Sequence, residues 1–272
     1  MNQPFSTFEY NILNTFGDKG KAWLATLPQE IERWKRTWGL RDLQPYSELT
    51  YNYVMSGFQG DLPVVLKLCV ESEHEEQALK AFAGYGTVAL VEHDENALLL
   101  QRALSGVKLK NQPKAIEITC DVIKRLHQAP IPQPGKFPHM DTWLAALDKD
   151  WNIPHEQLHL ARTYKKSLPP SSPSILLHGD LHQDNILSHG KEWLVIDPKG
   201  VIGHPLHELW ACIEDLEHDI PFLATYFGYP RDQLIKCYYV HLILAACWCV
   251  EDNLEPTLFL DLARQTQKKW MP

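Results

Sequence analysis

Asp180 is followed five residues later by Asn185, and a second acid, Asp197, closes the next apolar run of the chain. The carboxylate at 180 can accept the hydrogen of an attacking hydroxyl. The amide at 185 and the carboxylate at 197 offer oxygen atoms to a hard divalent cation such as magnesium. Phosphoryl transfer uses both kinds of group, because its work is positioning and charge neutralisation rather than covalent chemistry. The same stretch, Ile175-Leu-Leu-His-Gly-Asp-Leu-His-Gln-Asp-Asn-Ile-Leu187, also holds His178 and His182, four residues apart. With Asp180 or Asp184 they suggest a second reading, a zinc hydrolase. That reading needs both imidazoles on one helix face. Gly179 between them and an apolar run before them oppose a regular helix.

Short elements must hold these groups in place. Residues 175–177 and 194–196 are apolar and bounded by Gly and Pro, and they read as short strands. Strands fix the ends of the intervening loop, and the loop presents the chemistry. Asp, Asn and His suit turns in general, so a plain polar turn would have a similar composition. It would not account for the apolar frame or for Asp197.

The motif from His178 to Asn185, His-Gly-Asp-x-x-x-x-Asn, with an Asp-ended strand after it, resembles the aminoglycoside phosphotransferase family of the kinase-like superfamily. Protein kinases carry Asp-Phe-Gly where this chain has Asp197-Pro-Lys-Gly200. That run, with Ala22-Trp-Leu-Ala-Thr-Leu-Pro28 and Trp38-Gly-Leu40, resembles the streptomycin and hydroxyurea phosphotransferase branch. The resemblance covers the chain from the region of Trp23 to about Trp248. It implies Asp180 as catalytic base, Asn185 and Asp197 as ligands of Mg2+, and ATP as phosphate donor.

Lys67 lies in the apolar run 64–68 ahead of Glu75 and Glu76. A lone strand lysine usually faces solvent. Here it resembles the lysine that contacts the α- and β-phosphates and pairs with a helix glutamate. The family pattern puts that glutamate at Glu75, with Glu76 left open. Residues 101–106 resemble an inter-lobe hinge, whose backbone at Gln101 and Ala103 would pair with adenine. Lys199 either helps neutralise the transferring phosphate or is a solvated turn lysine. Glu208 caps or braces the helix that follows it, where relatives often have Asp. No Gly-rich Walker loop is present, which excludes the P-loop class.

The fold implied is α+β, a bilobal protein-kinase-like fold with a small antiparallel-sheet N-lobe and a larger, mostly helical C-lobe. The N-lobe would span residues 1–100, the hinge 101–106 and the C-lobe 107–272. The function implied is a Mg-dependent small-molecule kinase moving the ATP γ-phosphate to a hydroxyl, most simply of a streptomycin-like aminoglycoside. Alternatives are a metabolite kinase of the choline, homoserine or sugar type, or a catalytically silent nucleotide-binding protein. The joint presence of Lys67, Asp180, Asn185 and Asp197 speaks against the silent protein.

Local patterns add expectations for individual elements. Residues 18–39 read as two helices, the first capped by Asp18 and the second opening near Pro28 with Ile31, Trp34 and Trp38 on its apolar face. Residues 50–55 and 63–70 read as a hairpin with its turn over 57–61. The turn of the first hairpin, near 45–50 and with Ser47 rather than glycines, would cover the nucleotide. A second strand pair spans 87–92 and 97–100, and helices follow over 115–128, 140–168 and on to Trp270.

Composition sets limits on partners. A hydrophobic content of 44% and a charged content of 22% are those of an ordinary globular protein. The net charge of -8 argues against a nucleic-acid partner and suits a cationic acceptor. Glu214, Asp215, Glu217, Asp219, Glu251 and Asp252 are the candidates to hold one, although such charges are usually solvated. The six cysteines include no C-x-x-C pair, and Cys247-x-Cys249 sits in an apolar run that more simply packs, so a reduced, cytoplasmic chain is expected. No signal peptide is visible at the N-terminus. The apolar run 238–250 is too short and too polar-flanked to span a bilayer.

Overall fold

The computed structural model describes residues 7–71, 74–132, 135–170 and 173–270. Helix α1 (Thr7–Thr37) comes first, and its break falls at Gly17 rather than near Pro28. Gly17 has φ 52° and ψ -129°, a backbone conformation that glycine adopts without a Cβ clash. Pro28 lies inside the helix and does not end it. Phe8, Ile12, Leu27 and Trp34 of α1 are buried against a five-stranded sheet.

That sheet is antiparallel and contains β1 (Leu40–Pro45), β2 (Tyr53–Gln59), β3 (Leu62–Leu68), β4 (Leu90–Asp94) and β5 (Ala97–Gln101), in the order β1-β2-β3-β5-β4. The expected hairpin is β2–β3, with Tyr53 opposite Leu68 and Gln59 opposite Leu62. Its turn is only Gly60-Asp61, and Gly57 and Phe58 belong to the strand. The second strand pair starts at Leu90 rather than at residue 87. Successive strand side chains point to opposite faces. Val64, Leu66 and Leu68 therefore join the α1 core, and Lys67 points to the other face, where α2 (Glu75–Ala81) lies.

Next comes β6 (Ser105–Lys108), then α3 (Ala115–Leu126), α4 (Met140–Leu144) and α5 (His155–Lys165). Buried Ile116, Cys120, Ile123 and Leu126 follow helical spacing along α3. The short strands are β7 (Ile175–Leu177), β8 (Ile186–His189), β9 (Glu192–Val195) and β10 (Val201–Gly203). β7 pairs with β10, and β6-β8-β9 form a three-stranded sheet. β9 is also bonded to the segment between α2 and β4: Val195 donates to the Gly86 carbonyl at 2.8 Å and accepts from Val88 at 2.9 Å.

Helices α6 (Leu216–Phe227), α7 (Arg231–Glu251) and α8 (Thr257–Trp270) complete the chain. α7 is the central core helix, buried almost without a break from Leu234 to Cys247. Among the described residues it is the one helix long and apolar enough to cross a membrane, and 72% of its apolar window is buried inside the fold. The architecture is α+β and bilobal: a small antiparallel sheet with α1 and α2, and a larger, mostly helical lobe.

Candidate active site

Lys67 is only 6% exposed, and its ammonium meets two carboxylates. It lies 2.6 Å from Glu75 Oε2 and in close contact with Asp197 Oδ1. β3 supplies the lysine, the first turn of α2 supplies Glu75, and the segment after β9 supplies Asp197. Burial pulls the Lys67 pKa down, but Asp197 and then Glu75 outweigh it and hold the ammonium above its ordinary range. Burial pushes Asp197 up, and the charges of Lys67 and Lys199 overcome that and hold it below the usual carboxylate range. Glu75 is raised, first by burial, with the Asp197 charge acting against the Lys67 pairing. Glu76 points elsewhere, to Lys80 and to His93.

Asp180 and Asn185 lie in the loop between β7 and β8, whose last turn is the 3-10 helix Gln183–Asn185. Asn185 Nδ2 donates to the Asp180 carbonyl at 2.9 Å, which leaves Asn185 Oδ1 as an acceptor. His178 is fully buried and serves as the loop's anchor. Its Nδ1 accepts from the Asp180 N–H at 3.2 Å, so its Nε2 carries the hydrogen donated to the Ile196 carbonyl at 2.9 Å. Burial lowers the His178 pKa, which keeps this neutral tautomer. The His178 carbonyl accepts from Lys199 and Gly200 at 2.9 and 3.2 Å, and Ile196 donates to the Asn185 carbonyl at 3.0 Å. The segment carrying Asp197, itself at φ 64°, is thereby tied to the loop carrying Asp180.

Glu208 does not brace the helix after it, as its position in the sequence suggests. Its carboxylate, 1% exposed, accepts from the His178 N–H at 2.6 Å and the Gly179 N–H at 3.0 Å. Burial pushes its pKa up, but His127 and the His178 N–H bring it below the ordinary value. Gly179 has φ 89°, and a Cβ there would stand 2.9 Å from Trp143 Cη2. Glycine is required at this position on both counts. No local spacing links positions 178 and 208, so sequence reading could not find this clamp.

The remaining candidates disperse. In the segment expected to be a hinge, the Gln101 N–H is bonded to the Ala89 carbonyl at 2.8 Å, the Arg102 N–H to the Pro63 carbonyl at 3.0 Å, and the Leu104 N–H to His189 Nδ1 at 3.1 Å. Ala103 is buried between them. Lys199 is exposed. Asp219 is buried and accepts from the Glu214 and Asp215 N–H groups, and Asp215 caps α6. Glu214 faces Lys110 at 3.4 Å, and Glu217 is paired with Lys269. These acids do not form one cation site. Asp184 sits between Lys108 and Lys110, at 3.6 and 3.3 Å. The His178 ring is spent on Ile196 and Asp180, so the His178–His182 zinc reading finds no support in this geometry.

The model of the aminoglycoside/hydroxyurea antibiotic resistance kinase family matches residues 54–220. Streptomycin 6-kinase of Streptomyces glaucescens is 26% identical over 88% of this chain and 88% of its own length. Streptomycin 3''-kinase of Klebsiella pneumoniae is 25% identical over 82% of this chain and 92% of its own. Among solved structures, a thermostable mutant of the aminoglycoside phosphotransferase APH(4)-Ia, in a ternary complex with AMP-PNP and hygromycin B, superposes with a TM-score of 0.66. It is 16% identical, and the match covers 87% of this chain and 96% of that one.

Proposed function

Because the chain belongs to the aminoglycoside/hydroxyurea antibiotic resistance kinase family, we propose that it moves the γ-phosphoryl group of ATP to a hydroxyl of a streptomycin-like aminoglycoside. One observation carries the reading. A buried lysine, a helix glutamate and Asp197 meet at one point, and the Asp197 segment is hydrogen-bonded to the loop that presents Asp180 and Asn185. The names of the streptomycin kinases support the acceptor class.

In this reading each residue has a separate task. Lys67 holds the α- and β-phosphates, and Glu75 keeps its ammonium aimed. Asp180 accepts the hydrogen of the attacking hydroxyl, and the clamp on its loop fixes where that carboxylate points. Asp197 and the free Oδ1 of Asn185 are oxygen donors of the type magnesium prefers, so the donor set fits that ion. When bound, magnesium supplies charge neutralisation between the nucleotide phosphates. For adenine, the Gln101 N–H is already engaged inside the sheet, so the base contact falls to the backbone of Ala103. Use of ATP and six free cysteines support a reaction in the cytoplasm.

The test is ADP release with ATP and magnesium, run against streptomycin, other aminoglycosides, choline, homoserine and simple sugars. Turnover with streptomycin is expected, and Asp180→Ala should lower kcat by about 10²–10⁴ with an unchanged melting temperature. Turnover with choline, homoserine or a sugar alone would replace the acceptor. Near-wild-type turnover by Asp180→Ala would remove the base.

A further inference from the structure

Cys237 and His241 stand one turn apart on α7, and His207 reaches them from the 3-10 turn Pro205–Glu208. One ligand atom from each lies within 4.8 Å of the other two. His207 Nδ1 is 2.8 Å from His241 Nε2 and 3.7 Å from Cys237 Sγ. All three residues are buried, and none has a part in the phosphoryl-transfer cleft.

We propose that His207, Cys237 and His241 form a structural site for a thiophilic cation of the zinc type. Two ligands four residues apart on one helix face, with a third from a neighbouring element, can close around one tetrahedral ion. Ideal zinc bonds separate two imidazole nitrogens by about 3.3 Å and a nitrogen from a thiolate sulfur by about 3.6 Å. The nitrogen–sulfur spacing already matches, and the imidazoles need to part by about 0.5 Å. The Leu206 carbonyl, 3.7 Å from Cys237 Sγ, is within reach of the fourth position. One thiolate and two imidazoles suit a thiophilic ion and disfavour an oxygen-seeking one such as magnesium.

The surroundings prepare the ligands. The His241 ring is stacked on Trp210 at 5.2 Å and 7°, which fixes its direction. Loading breaks the Cys237 Sγ–H bond, forms the Sγ–metal bond and releases one proton to solvent, while the hydrogen shared by His207 Nδ1 and His241 Nε2 moves to the far nitrogen of its ring. The cation would tie α7 to the turn that carries Glu208, and through it brace the loop of Asp180.

The site is closed to solvent, so loading accompanies folding. The full-length chain would be stripped with chelator in denaturant and refolded with zinc or with cobalt(II), then freed of loose metal. The expected results are one metal per chain, one proton released, and a thiolate-to-cobalt charge-transfer band. Cys237→Ser should lose the metal and the band. Cys247→Ser, a buried cysteine elsewhere on α7, should keep both. X-ray absorption of the wild-type zinc form should show a single sulfur, a readout that does not depend on Cys237→Ser folding. No stoichiometric metal in the wild type, more than one sulfur, or full retention in Cys237→Ser would overturn the site.

Discussion

Replacing Glu208 tests whether the Asp180 loop is held by a buried carboxylate. Glu208→Ala deletes the acceptor of two N–H groups, from His178 at 2.6 Å and Gly179 at 3.0 Å. Each buried N–H left without a partner costs about 1–3 kcal/mol. The desolvation cost of the carboxylate is relieved at the same time, so the two unpaired N–H groups leave a net loss of about 2–5 kcal/mol. Domains carry a stability of about 5–15 kcal/mol, so the variant folds with a reduced margin. At a slope of about 3 kcal/mol per M the urea midpoint moves down by about 1–2 M.

Glu208→Gln keeps one acceptor oxygen and should lose about half as much. In both variants kcat should fall by more than KM for ATP rises, because Lys67 and Glu75 hang from β3 and α2, while only Asn185 and the tied Asp197 segment follow this loop. pH gives a second handle. The folded Glu208 carboxyl lies below its ordinary value. Its contribution is complete above the unfolded pKa of about 4.3 and is lost as pH falls through the lower folded value. The wild type should thus lose its advantage over Glu208→Gln in acid. A Glu208→Ala protein with the wild-type urea midpoint would refute the reasoning.

Two further substitutions probe the same machinery. Lys67→Ala leaves the half-buried carboxylates of Glu75 and Asp197 facing each other without the ammonium, a loss of about 1–3 kcal/mol, and it should abolish the thermal shift given by AMP-PNP with magnesium. Without Lys67 the Glu75 carboxyl, already raised by burial, loses the charge that lowers it, so part of the lost stability should return below about pH 4, read from melting temperatures across pH. Gly179→Ala forces a side chain into φ 89° and against Trp143. It should cost about 1–3 kcal/mol and lower kcat more than it raises KM for ATP, measured by steady-state kinetics.

What the sequence disclosed was local. The loop from His178 to Asn185, its strand frame and the hairpin with Lys67 all carry their information in short continuous stretches of chain. Strand β1 was legible only as the arm before the turn expected near 45–50, and its bounds were not, because it is an edge strand: Arg41, Asp42, Gln44 and Pro45 are exposed, Asp42 has φ 55°, and a register shift interrupts the pairing. No apolar alternation survives there. β8 was hidden inside what looked like one polar loop, since its burial comes from β6 and β9, which are close only in space. Pro28 is a strong helix-breaking signal, yet tertiary packing of Leu27 and Trp34 on the sheet keeps α1 helical there. The Glu208 clamp spans thirty residues, and His207 meets Cys237 and His241 over the same kind of distance. The acids of 214–219 looked like a cation site because sequence shows charge but not the N–H groups and lysines that consume it.

The bonds from Val195 to Gly86 and Val88 have a consequence for modularity. By chain order β9 belongs to the second half of the protein, yet its backbone is shared between β8 on one side and the segment before β4 on the other. A cut at residues 101–106 would leave both halves with a raw strand edge, and raw edges pair with whatever chain comes next. The two lobes are therefore a poor choice for separate expression, domain grafting or split-reporter designs. Co-expressed fragments should recover as a reassembled pair, and each fragment alone should be insoluble.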